Sequence, residues 1–133
     1  MNWGRGWFKR TIQTRVWGMD IHPSARIASS ALIDRTWPRG IHIGADCEIY
    51  DHAVILTHDM TRGVYADTRI GPRAKICQRA IILPGVEVGA DCIVLPGAVV
   101  TKSMPAATFA IGNPATIEAL AGIPEVLTSV SGT

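Results

Sequence analysis

Residues 70–100 run IGPRAKICQRAIILPGVEVGADCIVLPGAVV, and within them Ile70, Ile76, Ile82, Val88, Val94 and Val100 fall six apart without a miss. The same step occurs upstream in Ile43, Ile49 and Ile55, and before them in Ile21, Ile27 and Ile33. A second series stands four places after these anchors: Ala25, Ala31, Cys47, Ala53, Ala74, Ala80, Val86, Cys92 and Ala98, nearly all small. An amphipathic helix would repeat every 3.6 residues and a plain strand every two, so neither gives one large and one small inward residue per six. Repetition at a fixed period is the mark of a solenoid, in which each unit buries its apolar face only against the next. The β-branched anchors, followed directly by Gly44, Gly71 and Gly89, predict short strands joined by tight corners.

Two places break the period. Between Ile33 and Ile43 the step is ten, which puts four extra residues around 34–40; after the Ile55 hexad, nine residues from Thr61 to Arg69 precede Ile70. A solenoid sends such insertions into outward loops. The segments outside the repeat are expected to be caps: residues 1–20 at the N-terminus, then the repeat domain over 21–115, then 116–133 as a C-terminal helix and tail. The helix is expected over Thr116 to Leu127, interrupted by Gly122 and Pro124. In the N-terminal segment Trp3, Trp7 and Trp17 lie on one side of a helical wheel, with Phe8, Ile12 and Val16 opposite, so no clean moment singles out its buried face. Covering the open end of the repeat is one use for it. Peripheral contact with a membrane surface through the Trp residues and Arg5, Lys9, Arg10 and Arg15 is the other.

Composition narrows the function classes. At 133 residues, 47% hydrophobic and 18% charged, the chain is long enough for one domain with a buried core and excludes a disordered segment. Its longest apolar runs, such as Ala53–Leu56 and Cys92–Leu95, fall far short of the roughly 20 residues of a membrane-spanning helix. Basic residues near the N-terminus are not followed by an apolar stretch, so a secretory signal is not expected and the cytoplasm is the expected compartment. A net charge of +2 is too weak to call for nucleic acid. Three cysteines in such a setting give no disulfide framework.

Six-residue units with an aliphatic anchor, a following Gly and a small residue near the end resemble the hexapeptide repeat of acyltransferases, and the resemblance covers about residues 21 to 114. It implies an all-β fold, a left-handed parallel β-helix of about four coils with an external loop, an N-terminal capping segment and a short C-terminal helix. Three hexads make a coil, so residues 18 apart stack. The stretch Ile55-Leu-Thr-His-Asp-Met-Thr-Arg62 looks like the active-site segment of these enzymes, in which a histidine deprotonates the acceptor; that implies His58 as the catalytic residue. Val99-Val-Thr-Lys-Ser-Met-Pro105 and Ile111-Gly-Asn-Pro-Ala115 are similar to the segments that contact coenzyme A. With Ile21-His-Pro-Ser-Ala25 they point to the branch that acetylates sugars and serine from acetyl-CoA, and within it to sugar or polysaccharide O-acetyltransferases. The resemblance implies Asp34 or Asp59 in acceptor binding and Gln78, Gly85, Pro96, Thr101 and Lys102 in coenzyme contact, with no metal. Gly85, by the stacking rule, would lie one coil above His58. Gln78 stands where the family commonly carries a small residue, Pro96 falls at a second contact place, and Thr116 stands where a basic residue often follows Asn-Pro-Ala. The family also implies a homotrimer.

The residue types suit this chemistry. A thioester carbonyl is already reactive, so an acyltransferase supplies chiefly a proton acceptor for the incoming hydroxyl and a donor for the developing oxyanion. Histidine, with an ordinary pKa of about 6.5, is neutral and basic near pH 7. The competing readings are a serine acetyltransferase-like enzyme acting on a small molecule, a zinc enzyme of the gamma carbonic anhydrase type, and a noncatalytic β-helix acting in assembly. His52 and His58 are six apart, which sets them on successive corners and not on one face.

Overall fold

The computed structural model describes residues 6–125. The hexads form a three-sided parallel β-helix. Its first coil comprises β1 (Asp20–Ile21), β2 (Arg26–Ile27) and β3 (Leu32–Ile33), and its second β4 (Ile41–Ile43), β5 (Glu48–Ile49) and β6 (Val54–Ile55). A hairpin of β7 (His58–Asp59) and β8 (Val64–Tyr65) leaves the body there. The third coil holds β9 (Thr68–Ile70), β10 (Lys75–Ile76) and β11 (Ile81–Ile82), and the fourth β12 (Glu87–Val88), β13 (Ile93–Val94) and β14 (Val99–Val100). A fifth turn begins with β15 (Thr108–Ile111), on which β16 (Thr116–Ala119) folds back.

The strands stack into three sheets, β1-β4-β9-β12, β2-β5-β10-β13-β15-β16 and β3-β6-β11-β14, parallel except for the final β15–β16 pair. Register follows the hexads: Ile49 pairs with Ile76 and Ile76 with Val94, while Ile55 pairs with Ile82 and Ile82 with Val100. Each anchor therefore stacks on its counterpart in the next coil, and Ile49, Ile55, Ile76, Ile82, Val94 and Val100 are wholly buried. Burial of such a side chain contributes about 1.5–3 kcal/mol. The small series fills the corners, and Ala53, Ala74, Ala80 and Ala98 are likewise buried. Gly71 is required by close approach: a Cβ there would sit 2.7 Å from the Ala90 nitrogen of the next coil.

At the lower end β1, β2 and β3 have no further strand beneath them among the described residues. The helix α1 (Gly6–Thr11) and the π-helical turn Ile12–Val16 fold against this end. Trp17 and Met19 pack against the core, Gln13 is buried, and the Lys9 Nζ donates to the Ser29 carbonyl at 2.9 Å. Trp3 and Arg5 lie outside the described residues.

The C-terminal helix expected from Thr116 is a correction. Residues Thr116–Ala119 form β16, antiparallel to β15, Leu120–Gly122 turn as a 3-10 segment, and α-helix is reached at Glu125, the last described residue. The physical reason is the upper edge of the second sheet, where β15 would leave a row of backbone groups unpaired. The chain reverses through Gly112–Ala115 and supplies the missing partner from its own next residues, overriding the local helix propensity of Glu118-Ala-Leu-Ala121. A boundary between 115 and 116 therefore cuts this hairpin. The end of the expected helix and the tail, 126–133, lie outside the described residues.

Candidate active site

Both breaks in the hexad period converge on one edge of the prism. The edge runs from the third sheet to the first and carries Asp34 in coil one, His58 in coil two, Gly85 in coil three, and Thr101 and Lys102 in coil four. Gln78 and Pro96 occupy the neighbouring edge, between the second and third sheets, where the Gly97 N–H donates to the Gln78 carbonyl at 3.0 Å. The two sets thus flank the outer face of the third sheet.

His58 opens the hairpin, so the excursion begins before Thr61, where counting whole hexads placed it. Its ring stacks on that of Tyr65, its cross-strand partner, with centroids 4.4 Å apart and 28° between planes. Tyr65 in turn meets the Trp37 ring edge-on at 6.0 Å. Trp37 comes from the first insertion and Tyr65 from the second, so these aromatics join the two loops around a half-buried imidazole.

Asp34 fixes the backbone beneath. Its Oδ2 accepts from the Thr57 N–H at 3.0 Å and the His58 N–H at 3.1 Å, and its Oδ1 from the Thr36 N–H at 2.8 Å. Burial alone would raise its pKa; the backbone donors of Thr57, Thr36 and His58 outweigh that and hold the carboxyl below the usual carboxylate range. Asp34 thus lies beside His58 and holds its main chain. Thr57 continues the clamp, its hydroxyl donating to the Trp37 carbonyl at 2.9 Å and its carbonyl accepting from the Ala66 N–H. Thr68 closes the hairpin base: its hydroxyl donates to the Leu56 carbonyl at 2.6 Å and accepts from the Gly85 N–H at 3.0 Å. At the hairpin exit, His42 has Nδ1 2.9 Å from Asp20 and Nε2 3.0 Å from Asp67.

Asp59 turns to the hairpin tip, where Oδ1 accepts from the Thr61 and Arg62 N–H groups and Oδ2 pairs with Arg62 Nε at 2.6 Å. The Arg62 bond lowers its pKa. Among the described residues neither carboxylate hydrogen-bonds the His58 imidazole; Tyr65 is what orients it. Gly85 adopts a left-handed φ of +84°, and a Cβ there would meet only Ala66, at 3.4 Å. Its neighbour one coil below is therefore the returning end of the hairpin instead of His58 itself, and the space outside it is open. Thr101 and Lys102 are exposed.

A family model described as bacterial transferase hexapeptide (six repeats) matches residues 67–102, the hexads of the third and fourth coils. This chain belongs to the hexapeptide-repeat transferase family. The hexapeptide-repeat protein is 35% identical over 105 residues to a putative serine acetyltransferase of Schizosaccharomyces pombe, a match covering 74% of this chain and 38% of that protein. It thus spans well under two thirds of that curated relative. Its fold is that of a maltose O-acetyltransferase from Clostridium difficile 630 (TM-score 0.66, 21% identity, 89% of this chain and 78% of that one). It is shared by a galactoside acetyltransferase solved in complex with coenzyme A (TM-score 0.58, 16% identity, 89% and 72%). The architecture is accordingly the left-handed parallel β-helix.

Other groups sit apart from this corner. Among the described residues no three His, Cys, Asp or Glu side chains converge on a metal-sized site, and His52 lies on a different edge from His58. The three cysteines are free and buried, and burial pushes the Cys77 thiol up to about 11. A cavity of about 680 Å³ lies on the outer face of the first sheet, lined by Asp20, His42, Arg69 and Glu87, away from His58. The residues missed from the sequence are Thr57, Thr68, Trp37 and Tyr65. The last two had a usable signal, since each is an aromatic inside a break of an otherwise aliphatic repeat.

Proposed function

We propose that this hexapeptide-repeat protein transfers an acetyl group from acetyl-CoA to a hydroxyl of a sugar or polysaccharide precursor, with His58 as general base. The observation that carries this reading is the placement of His58: half-exposed, stacked on Tyr65, its backbone held by Asp34, at the point where both insertions meet. In the transfer, the imidazole takes the hydroxyl proton as the acceptor oxygen attacks the thioester carbonyl. The carbon–sulfur bond breaks, an ester bond forms, and the proton passes to the departing sulfur. The residues fit the donor: Thr101 and Lys102 lie two rungs above His58 on the same edge, about 10 Å away at 4.8 Å per rung. Lys102 presents a cation suited to phosphate. The open space outside Gly85 lies between.

The sugar acceptor is supported by Trp37 and Tyr65, whose flat faces suit the C–H face of a pyranose ring. A serine-like acceptor is the second reading, favoured by the 35% identity to the fission-yeast protein. A homotrimer belongs to the first reading. Its support is an outward apolar ladder on the third sheet, Leu32–Val54–Ile81–Val99, in direct register, with Leu32 51% exposed. A second copy against this face would wall in the two edges that flank it. The same reading puts the protein in the cytoplasm with its acetyl donor. The test is an acceptor screen that follows free coenzyme A thiol over a panel of sugars, sugar nucleotides and serine. Thiol release with a sugar, lost in His58→Ala, upholds the reading; release with serine alone replaces it by the second.

A further inference from the structure

The N-terminal cap turns an apolar stripe toward solvent. Phe8, Ile12 and Val16 stand four apart, a spacing that a helix aligns along one face. Phe8 is 69% exposed and Val16 72%, whereas Trp17 and Gln13 face the β-helix. The structure thus turns Trp17 and Gln13 inward, and on the other side it leaves Phe8 and Val16 exposed with Ile12 half-buried between them.

Cations stand at the same end of the molecule, an exposed Arg15 next to Val16 and Lys9, Arg10 and Arg35 along the seam between the cap and the first coil. Lys9, Arg10 and Arg15 come from the cap itself, while Arg35 lies over the Trp17 ring at 5.8 Å and the Arg39 side chain reaches Gly18. Among the described residues no carboxylate forms an ion pair with any of these five. Burial and then the neighbouring charge of Arg35 lower the Lys9 pKa, a repulsion that an external anion would relieve. The polarity extends through the chain: residues 1–40 hold seven Lys and Arg against two Asp, and residues 41–133 hold six against nine acidic residues.

We propose that this capped end docks on an anionic phospholipid bilayer, with Phe8 and Val16 entering the headgroup boundary and the cations of the same end matching the lipid charge. Exposed apolar residues on one helical face, flanked by Lys and Arg, are what an interfacial helix needs. Anionic lipid adds an attraction for each nearby cation that salt screens. Docking in this sense places coil two, with His58, about one rung, ~5 Å, from the coil nearest the membrane. The loop of residues 34–40 would then stand between bilayer and base. Such an orientation suits an acceptor presented from the membrane, although docking itself does not depend on the acetyl-transfer reading.

The experiment is vesicle flotation of the full chain in 0.1 M salt, comparing pure phosphatidylcholine with vesicles containing phosphatidylglycerol at about one third. Flotation with the anionic vesicles alone is expected, falling at least tenfold in 0.5 M salt, in Phe8→Ser/Val16→Ser and in Arg15→Glu/Arg39→Glu. All four positions are exposed, and an unchanged thermal melt shows that the variants remain folded. Absence of flotation with anionic vesicles overturns the proposal. So does binding to polyglutamate as tight as to vesicles and unaffected by the Phe8/Val16 variant, which would assign the surface to an acidic protein.

Discussion

Replacing Asp34 with Asn keeps the shape of the side chain and removes one acceptor and the charge. Asp34 receives three backbone N–H groups, two on Oδ2 and one on Oδ1. An Asn that keeps its oxygen toward Thr57 and His58 must aim its NH2 at the Thr36 N–H, donor against donor. The two retained bonds fall from charge-assisted to neutral strength, a loss of about 1 kcal/mol each. The third is lost and leaves a donor facing a donor, at a further cost of about 1 kcal/mol because Thr36 is exposed. The expected destabilisation is about 3 kcal/mol, or about 10 °C in melting temperature for a chain of this size. Because Asp34 holds the His58 main chain, kcat should fall about tenfold or more while KM for the acceptor changes little. Differential scanning fluorimetry and steady-state thiol release read the two effects. A melting temperature within 2 °C of wild type would refute the clamp, and a rise in KM at constant kcat would make Asp34 an acceptor contact instead.

Removal of the His58 imidazole by Ala should lower turnover by about 100-fold or more while leaving the melt near that of wild type, since the ring is half-exposed; an unchanged rate removes it as base. Tyr65→Ala deletes the ring that stacks on His58 and should reduce kcat severalfold, with Tyr65→Phe restoring it, because the contact is through the ring face and not the hydroxyl. Gly71→Ala places a Cβ 2.7 Å from the Ala90 nitrogen and should destabilise the coil by about 1–3 kcal/mol, read as a lower denaturation midpoint. Since Asp34 titrates below its usual range in the folded chain, its stabilisation is complete above about pH 4 and is lost as pH falls through the lowered folded value. The stability gap between wild type and Asp34→Asn should therefore narrow in acid, which pH-dependent melts can follow.

The order of elements from Asp20 to Val100 was legible because each hexad spends one large and one small residue on the interior, and this demand repeats at every coil. His58 was legible by resemblance and by standing beside a break in the period. Strand β16 at the start of the C-terminal segment was not legible because Glu118-Ala-Leu-Ala121 has good helix propensity, and nothing local reveals that β15 is short of a strand partner. The faces of the N-terminal cap were undecidable because apolar residues lie on both sides of it; contact with coil one chose Trp17 for the interior.

By itself the sequence determined which side chains point inward, because six-residue periodicity repeats one large and one small interior position; three hexads to a coil, and with them the register and the hand, came with the family resemblance. Tertiary structure alone decided what surrounds the imidazole. Asp34, Trp37, His58 and Tyr65 are spread over two loops whose lengths give no hint that they touch, and Asp34 acts through backbone N–H groups of residues more than twenty positions away. Such contacts depend on where a corner of one coil falls above a corner of the next, a quantity that no local spacing encodes.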